Sequence, residues 1–202
     1  MQVLKNQRGF TLIELAIVLV IIGIILGAVL KGKDLIENAR AKKFVNDVRQ
    51  FEILSWTFFD RKGYFPGADK NDPIIDGNPY DDIVNKGRFT DAPTTNAITI
   101  GSYTFYVWLG NDGQTQKRNI IAITNTTTTG GASFSDAELI YMEAFDTAVD
   151  GAVDAKSGRV RAAESATITS ASWLVNGVTL YTTDNNWTSA AKALVYYFDR
   201  AP

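Results

Sequence analysis

The sequence predicts an α+β protein: a long N-terminal helix, membrane-spanning over its first half, packed through its second half against an antiparallel β-sheet head. Three observations predict this. From Phe10 to Leu30 the chain is almost wholly apolar. Such a helix spans about 31 Å at 1.5 Å rise per residue, enough to cross a bilayer. Ala41, Phe44, Val48, Phe51, Ser55 and Phe58 then recur at spacings of three and four, which puts them on one helix face. From Ile98 onward the pattern changes to short β-prone runs broken by Gly, Asn and Asp.

The first nine residues, ending Lys5-Asn6-Gln7-Arg8-Gly9, form a short polar leader. An ordinary secretory signal needs small residues at and before its cleavage site. A cut after Ala28 leaves Leu26 at the critical place, and one after Gly27 leaves Ile25. The apolar helix is therefore expected to be retained. Glu14 stands inside it. A charge at the centre of a membrane helix costs about 2.5–3.5 kcal/mol, so an intramembrane carboxylate is a functional candidate. It lies in the first helical turns, where the macrodipole favours an anion. A cleavage between Gly9 and Phe10 would create a matching cation, a new α-amino group. Gly23 and Gly27 form a Gly-x-x-x-Gly pair, which lets helices approach closely in lipid and also lowers helix propensity by about 1 kcal/mol per Gly.

No Pro or Gly interrupts residues 33–62, so one helix is expected to run through the apolar and amphipathic halves until Gly63 and Pro66 stop it. Residues 63–97 are rich in Gly, Pro, Asn and Asp and read as a long surface loop. Asp69, Asp72, Asp76, Asp81 and Asp82 offer the oxygen ligands calcium takes. Their spacing fits no EF-hand loop, so a solvated acidic loop is expected, with no metal or other cofactor. Strands are expected at 98–100, 103–109 and 119–124, with Gly110-Asn111-Asp112-Gly113 as a turn. Thr124 to Gly131 reads as an exposed loop. Ser135 and Glu138 form a capping box for a helix ending near Asp150-Gly151. A short strand is expected around Arg159-Val160-Arg161. Asn176-Gly177 between two β-prone runs predicts a type I′ hairpin, and residues 193–198 a last strand. The aromatic residues Tyr103, Phe105, Tyr106, Trp108, Tyr196, Tyr197 and Phe198 read as core. Asn125-Thr126-Thr127 and Asn186-Trp187-Thr188 match the N-glycosylation acceptor pattern, which is short enough for chance to supply.

Composition narrows the functions. The chain of 202 residues has a net charge of −2, with no basic bias toward nucleic acid. It has no His, which removes the commonest general base and metal ligand. No nucleophile–base pair stands out, and no catalytic residue is assigned. It has no Cys to staple the head.

Gly9-Phe10-Thr11-Leu12-Ile13-Glu14 followed by an aliphatic helix resembles the signal of type IV pilins and type II secretion pseudopilins. The resemblance is strong over residues 5–36. It is weaker over 37–66, which end in a Tyr64-Phe65-Pro66-Gly67 turn like that of one subgroup. It implies a leader at 1–9, a transmembrane and assembly helix at 10–31, and the rest of the helix plus head at 32–202. It further implies cleavage after Gly9 by a prepilin peptidase and N-methylation of Phe10. On this reading Glu14 serves assembly, where its carboxylate meets the terminal amine of a neighbouring subunit. The implied partners are the peptidase, sibling subunits, an assembly platform protein with its ATPase, and the lipid bilayer. The precursor would sit in the bacterial inner membrane with its head outside the cytoplasm and then enter a filament. Two features depart from many pilins: Lys31 stands where they carry Pro, and the Cys pair of the C-terminal loop is absent. Charge counting also points the other way, since Lys31, Lys33, Arg40, Lys42 and Lys43 after the span outnumber Lys5 and Arg8 before it. The alternative is a single-pass binding or sensor protein whose head acts alone.

Overall fold

The computed structural model describes residues 11–87, 89, 92–182 and 184–200. Helix α1 spans Leu12–Lys62 without a break, as the absence of Pro and Gly from 33–62 predicts. The chain divides into two compact units, Met1–Ala39 and Arg40–Pro202, and α1 contributes to both. In the first unit the described α1 side chains are almost all exposed, with Leu12, Leu19 and Ile24 each more than 65% accessible.

The second unit is built on a six-stranded sheet. Strands β1 (Ala97–Ile100), β2 (Tyr103–Asn111), β3 (Asn119–Thr124), β4 (Val160–Thr169), β5 (Leu174–Leu180) and β6 (Ala193–Tyr196) follow one another in the chain. Helix α2 (Asp136–Asp150) lies between β3 and β4. In space the order is β1-β2-β3-β6-β4-β5, and β5 also pairs with β2. That pairing is parallel, setting Leu109, Gly110 and Asn111 opposite Leu174, Val175 and Asn176. The sheet is therefore mixed rather than wholly antiparallel. Its closing pair makes a ring, β2-β3-β6-β4-β5, with β1 beside the first half of β2.

Closure explains the composition of the strands. Successive side chains point to opposite faces, so alternate residues enter two separate cores. Trp108, Ile120, Ala122, Ala163, Val175, Ala193, Val195 and Tyr197 pack together in one cluster. It takes one set of alternate residues from β2, β3 and β6 and forms the inside of the ring. A small ring has room for few large side chains, and here alanines surround Trp108, which is fully buried. The indole N–H of Trp108 donates to Thr124 Oγ1 at 2.8 Å, so its one polar atom is satisfied. The outward set, including Phe105, Val107, Leu109, Ile121, Ile123, Leu194 and Tyr196, joins the larger cluster with α1 and α2.

The α1 stripe meets that outer face as predicted: Phe44, Val48, Phe51, Ser55 and Phe58 are buried and Ala41 is partly so. Phe44 sits edge-on to Phe105 at 5.0 Å between centroids and edge-on to Phe145 of α2 at 6.3 Å. Such aromatic pairs add about 0.5–1.5 kcal/mol beyond the area they bury. Ser55, the polar member of the stripe, donates its hydroxyl to the Phe51 carbonyl at 2.8 Å. Helix α2 opens on the Ser135/Glu138 capping box and closes on Gly151 at φ 82°, both where the sequence sets them. Five of the seven aromatics read as core are buried, and Tyr103 and Tyr106 are partly buried.

Several expectations are corrected. Asn176-Gly177 is not a hairpin turn but lies inside β5. Between Val175 and Val178 the register with β4 slips by a residue, since Ile168 and Ala166 are their partners. Gly177 takes φ 109° there, so the positive φ that favours Gly in a turn serves a β-bulge instead. Gly110-Asn111 is likewise not a turn but the end of β2. A Cβ on Gly110 would lie 1.7 Å from the Val175 carbonyl oxygen, so the seam with β5 closes only over Gly. The strand placed around 159–161 extends to Thr169, ten residues in all.

Residues 63–97 are not a plain surface loop either. Phe65, Ile75 and Ile83 are buried in the outer core, and Asp81–Lys86 form a π-helical turn. The segment is bound to the sheet by side-chain amides. Asn119 accepts from Ile75 N–H at 2.8 Å and donates to the Pro73 carbonyl at 2.9 Å, while Asn111 donates to the Ile75 carbonyl at 2.8 Å. Thr124–Gly131 is exposed at its tip, yet Thr129 donates to the Ile168 carbonyl at 2.8 Å and ties the loop to β4.

Candidate processing and assembly site

Gly9 and Phe10, where cleavage and methylation are expected, lie outside the described residues. The site is therefore read from Thr11 onward. Thr11 precedes the first helical residue and Glu14 is the third within the helix. The Glu14 Oε2 accepts the Thr11 backbone N–H at 2.7 Å and its hydroxyl at 2.8 Å, and Thr11 Oγ1 accepts the Glu14 N–H at 3.4 Å. This is a capping box, two side chains closing reciprocally on the unpaired N–H groups of a helix start. The Thr-x-x-Glu spacing carries the signal, as Ser-x-x-Glu does at α2, but inside an apolar run the charge of Glu14 draws attention first.

The capping box changes the account of Glu14. A carboxylate in hydrocarbon needs partners, and within one chain Glu14 has two, both on Thr11. Among the described residues all bonds to it reach Oε2, leaving Oε1 without a partner. Gly23 and Gly27 both lie on the exposed apolar helix, and a Cβ built on either meets nothing within 4 Å. Among the described residues nothing fills the notch they make.

Among the described residues the head carries no comparable cluster. Four of the five loop carboxylates are spent locally, and the fifth, Asp76, faces Lys117 at 3.9 Å. Asp69 Oδ1 accepts the N–H groups of Asn71 and Asp72, Asp72 accepts that of Ile74, and Asp82 accepts Gly67 N–H at 2.8 Å. Lys86 bridges Asp81 and Asp82 at 2.6 and 3.1 Å. Its ammonium and the Asn85 amide hold the Asp81 carboxyl below the ordinary range. A polar cavity of about 390 Å³ opens between this segment's turns, lined by Tyr64, Lys70, Asp76 and Asn78 among others. Among the described residues no three acidic side chains converge as metal ligands would.

The most perturbed carboxyl lies elsewhere. Asp146 of α2 is fully buried, and burial pushes its pKa up to about 6. Its Oδ2 accepts the Trp187 indole N–H at 2.9 Å and the Asp154 N–H at 2.8 Å, while Oδ1 has no partner. These bonds join α2 to two loops and create no cleft. Burial likewise pushes the Tyr196 and Tyr197 phenols up to about 12, beside Glu52 and Asp112 respectively. Sequence reading missed Asp146, since one Asp in a helix with an acidic C-terminal turn reads as solvated.

Residues 4–30 match the prokaryotic N-terminal methylation motif. This is the type IV pilin and pseudopilin signal. The matched span takes in residues 4–9, Phe10, the Thr11–Glu14 box and both Gly23 and Gly27. No curated protein and no solved structure matches the chain. The motif implies processing by prepilin peptidase and assembly with pilin subunits, and it points to a structural subunit. It also fits an inner-membrane anchored precursor, since α1 is long and apolar enough to cross a membrane, and its most apolar window has no residue buried.

Proposed function

We propose that this chain is a prepilin, cut between Gly9 and Phe10, N-methylated on Phe10, and polymerised through its N-terminal helix into a type IV pilus or a type II secretion pseudopilus. One observation carries the reading. The methylation motif ends in an apolar stretch of α1, residues 12–30, none of which is buried among the described residues, and a surface of that kind belongs in lipid or against other helices. The precursor resides in the inner membrane with residues 32–202 outside the cytoplasm. An assembly ATPase acting through a platform protein draws it into the filament.

In the filament, Glu14 neutralises the Phe10 amine of a neighbouring subunit. Oε2 keeps the Thr11 cap while Oε1 receives the amine, so assembly does not require the helix start to unravel. A desolvated pair of this kind sets register, because either charge left alone in lipid is costly. Gly23 and Gly27 offer the close approach between packed helices.

The test is the mature N-terminus. Mass spectrometry of protein purified from membranes is expected to give a chain beginning at N-methyl-Phe10, and Gly9→Val is expected to leave it uncut. A chain beginning at Met1 refutes the reading and leaves a single-pass binding or sensor protein in its place; a chain beginning beyond Ala28 refutes it as well, its apolar span having been removed as an ordinary signal.

A further inference from the structure

Two Asn-x-Thr acceptor patterns lie in the head, and the fold treats them differently. Asn125 is closed off: its amide donates to the Ser133 carbonyl at 3.2 Å and to Glu138 at 3.4 Å, and its Oδ1 is buried. A glycan there would break the contact between the Thr-rich loop and the capping residue of α2. Asn186 is open. It lies exposed in the loop between β5 and β6, and among the described residues its side-chain amide has no partner. Its backbone N–H is held instead by Asp184 Oδ1 at 3.1 Å. Trp187, the next residue, is buried and anchored on Asp146. Thr188 Oγ1 accepts the Ala190 N–H at 3.3 Å and lies 3.3 Å from the Tyr181 hydroxyl. Asn186 is thus the solvent-facing residue of an otherwise docked acceptor triplet.

From this we propose that Asn186 is an N-glycosylation site, modified during export of the head, before Trp187 docks. The donor is an oligosaccharide on a polyprenyl pyrophosphate. The Asn186 Nδ2 attacks the anomeric carbon, the bond from that carbon to the pyrophosphate oxygen breaks, and Nδ2 loses a proton to a base of the transferase. Nothing is oxidised or reduced. The Thr188 hydroxyl identifies the acceptor to the transferase and then turns inward as the loop closes. Folding leaves the glycan in solvent, where a bulky polar group is tolerated. The inference rests on the proposal that the head is exported.

The experiment is expression of the full chain in a bacterial host carrying a prokaryotic oligosaccharyltransferase and its lipid-linked donor. A tryptic digest is then read by mass spectrometry. The peptide 162–192 carries Asn186, and 119–156 carries Asn125. The expected result is a glycosylated 162–192 that peptide-N-glycosidase converts to the Asp form, with 119–156 unmodified. Asn186→Gln and Thr188→Ala are each expected to abolish the modification, and Thr188→Ser to keep it. An unmodified 162–192 in a chain whose Phe10 is methylated overturns the site while leaving the pilin reading intact. A glycan on Thr rather than Asn also overturns it. A chain neither processed nor glycosylated overturns both.

Discussion

Replacing Asp146 by Asn is expected to change how the stability of the head depends on pH. Burial raises this carboxyl from its ordinary 3.8 to about 6, the Trp187 and Asp154 N–H groups partly oppose the rise, and the charges of Asp150 and Asp154 add to it. A carboxyl whose folded pKa lies above its unfolded value favours the fold while protonated. That contribution is complete below pH 3.8 and is lost as pH rises through about 6. At about 1.4 kcal/mol per pH unit, the loss amounts to roughly 3 kcal/mol by pH 8. Asn cannot ionise. It keeps an oxygen for Trp187 and Asp154 and places its NH₂ where Oδ1 has no partner, an unpaired buried donor that costs about 1–3 kcal/mol at every pH. The pH-independent cost shifts the whole curve of the variant, so the discriminating quantity is the slope of the difference with pH. With about 2–4 °C of Tm per kcal/mol for a domain of this size, the Tm of Asp146→Asn minus that of the native head is expected to rise by about 6–12 °C between pH 4 and 8. The assay is thermal unfolding of a soluble fragment beginning at Lys33, followed by Trp fluorescence and circular dichroism. Asp199 is also raised by burial, but it is common to both proteins and cancels in the difference. Parallel Tm curves across pH would refute the reasoning.

Two further substitutions probe the bulge and the cap. Gly177→Val places a β-branched side chain at φ 109°, and is expected to lower the stability of the same fragment by about 1–3 kcal/mol, read as a fall in its denaturation midpoint. An unchanged midpoint would remove the strain argument. Glu14→Ala and Thr11→Val separate capping from assembly, since the first removes the charge together with its bonds to residue 11, whereas the second removes only the bonds of the Thr11 hydroxyl and keeps the charge. Both are expected to be cleaved after Gly9. Glu14→Ala is expected to stay in the membrane pool and be missing from sheared filaments, whereas Thr11→Val loses about 1 kcal/mol of helix stability and still assembles. Equal failure of the two in sheared fractions would make capping, not charge pairing, the role of Glu14.

What was legible in the sequence is what local rules govern. The stripe from Phe44 to Phe58, the uninterrupted run to Lys62 and the Ser135/Glu138 box each follow from helical spacing or from one turn's hydrogen bonds, and all hold in the structure. The positions of β1, β2, β3 and β6 were legible too, but β4 was read short, β5 was read as two strands, and the partners were not legible. Asn176-Gly177 carries the same positive-φ signal in a hairpin and in a bulge, and only the position of β4 decides between them. The parallel β2–β5 pairing joins residues far apart in the chain and leaves one trace, the unusual Gly110. Loop 63–97 was read from its Gly, Pro and Asp content, which hid three apolar anchors spaced too irregularly for any period to reveal. At the membrane end Glu14 was legible as a charge out of place, and its bond to Thr11 was legible in principle from Thr-x-x-Glu.

The order in which the ring is assembled differs from the order in which the chain is made. Strand β6 comes last in sequence, yet it lies between β3 and β4. Until residues 193–196 emerge, β3 and β4 each present a bare edge, and Val195 and Tyr197 are missing from the interior around Trp108. The head cannot close progressively from its N-terminal end. A ribosome still holding β6 holds a chain with no finished sheet. A head without a single cysteine is thus locked by the last of these six strands to be made.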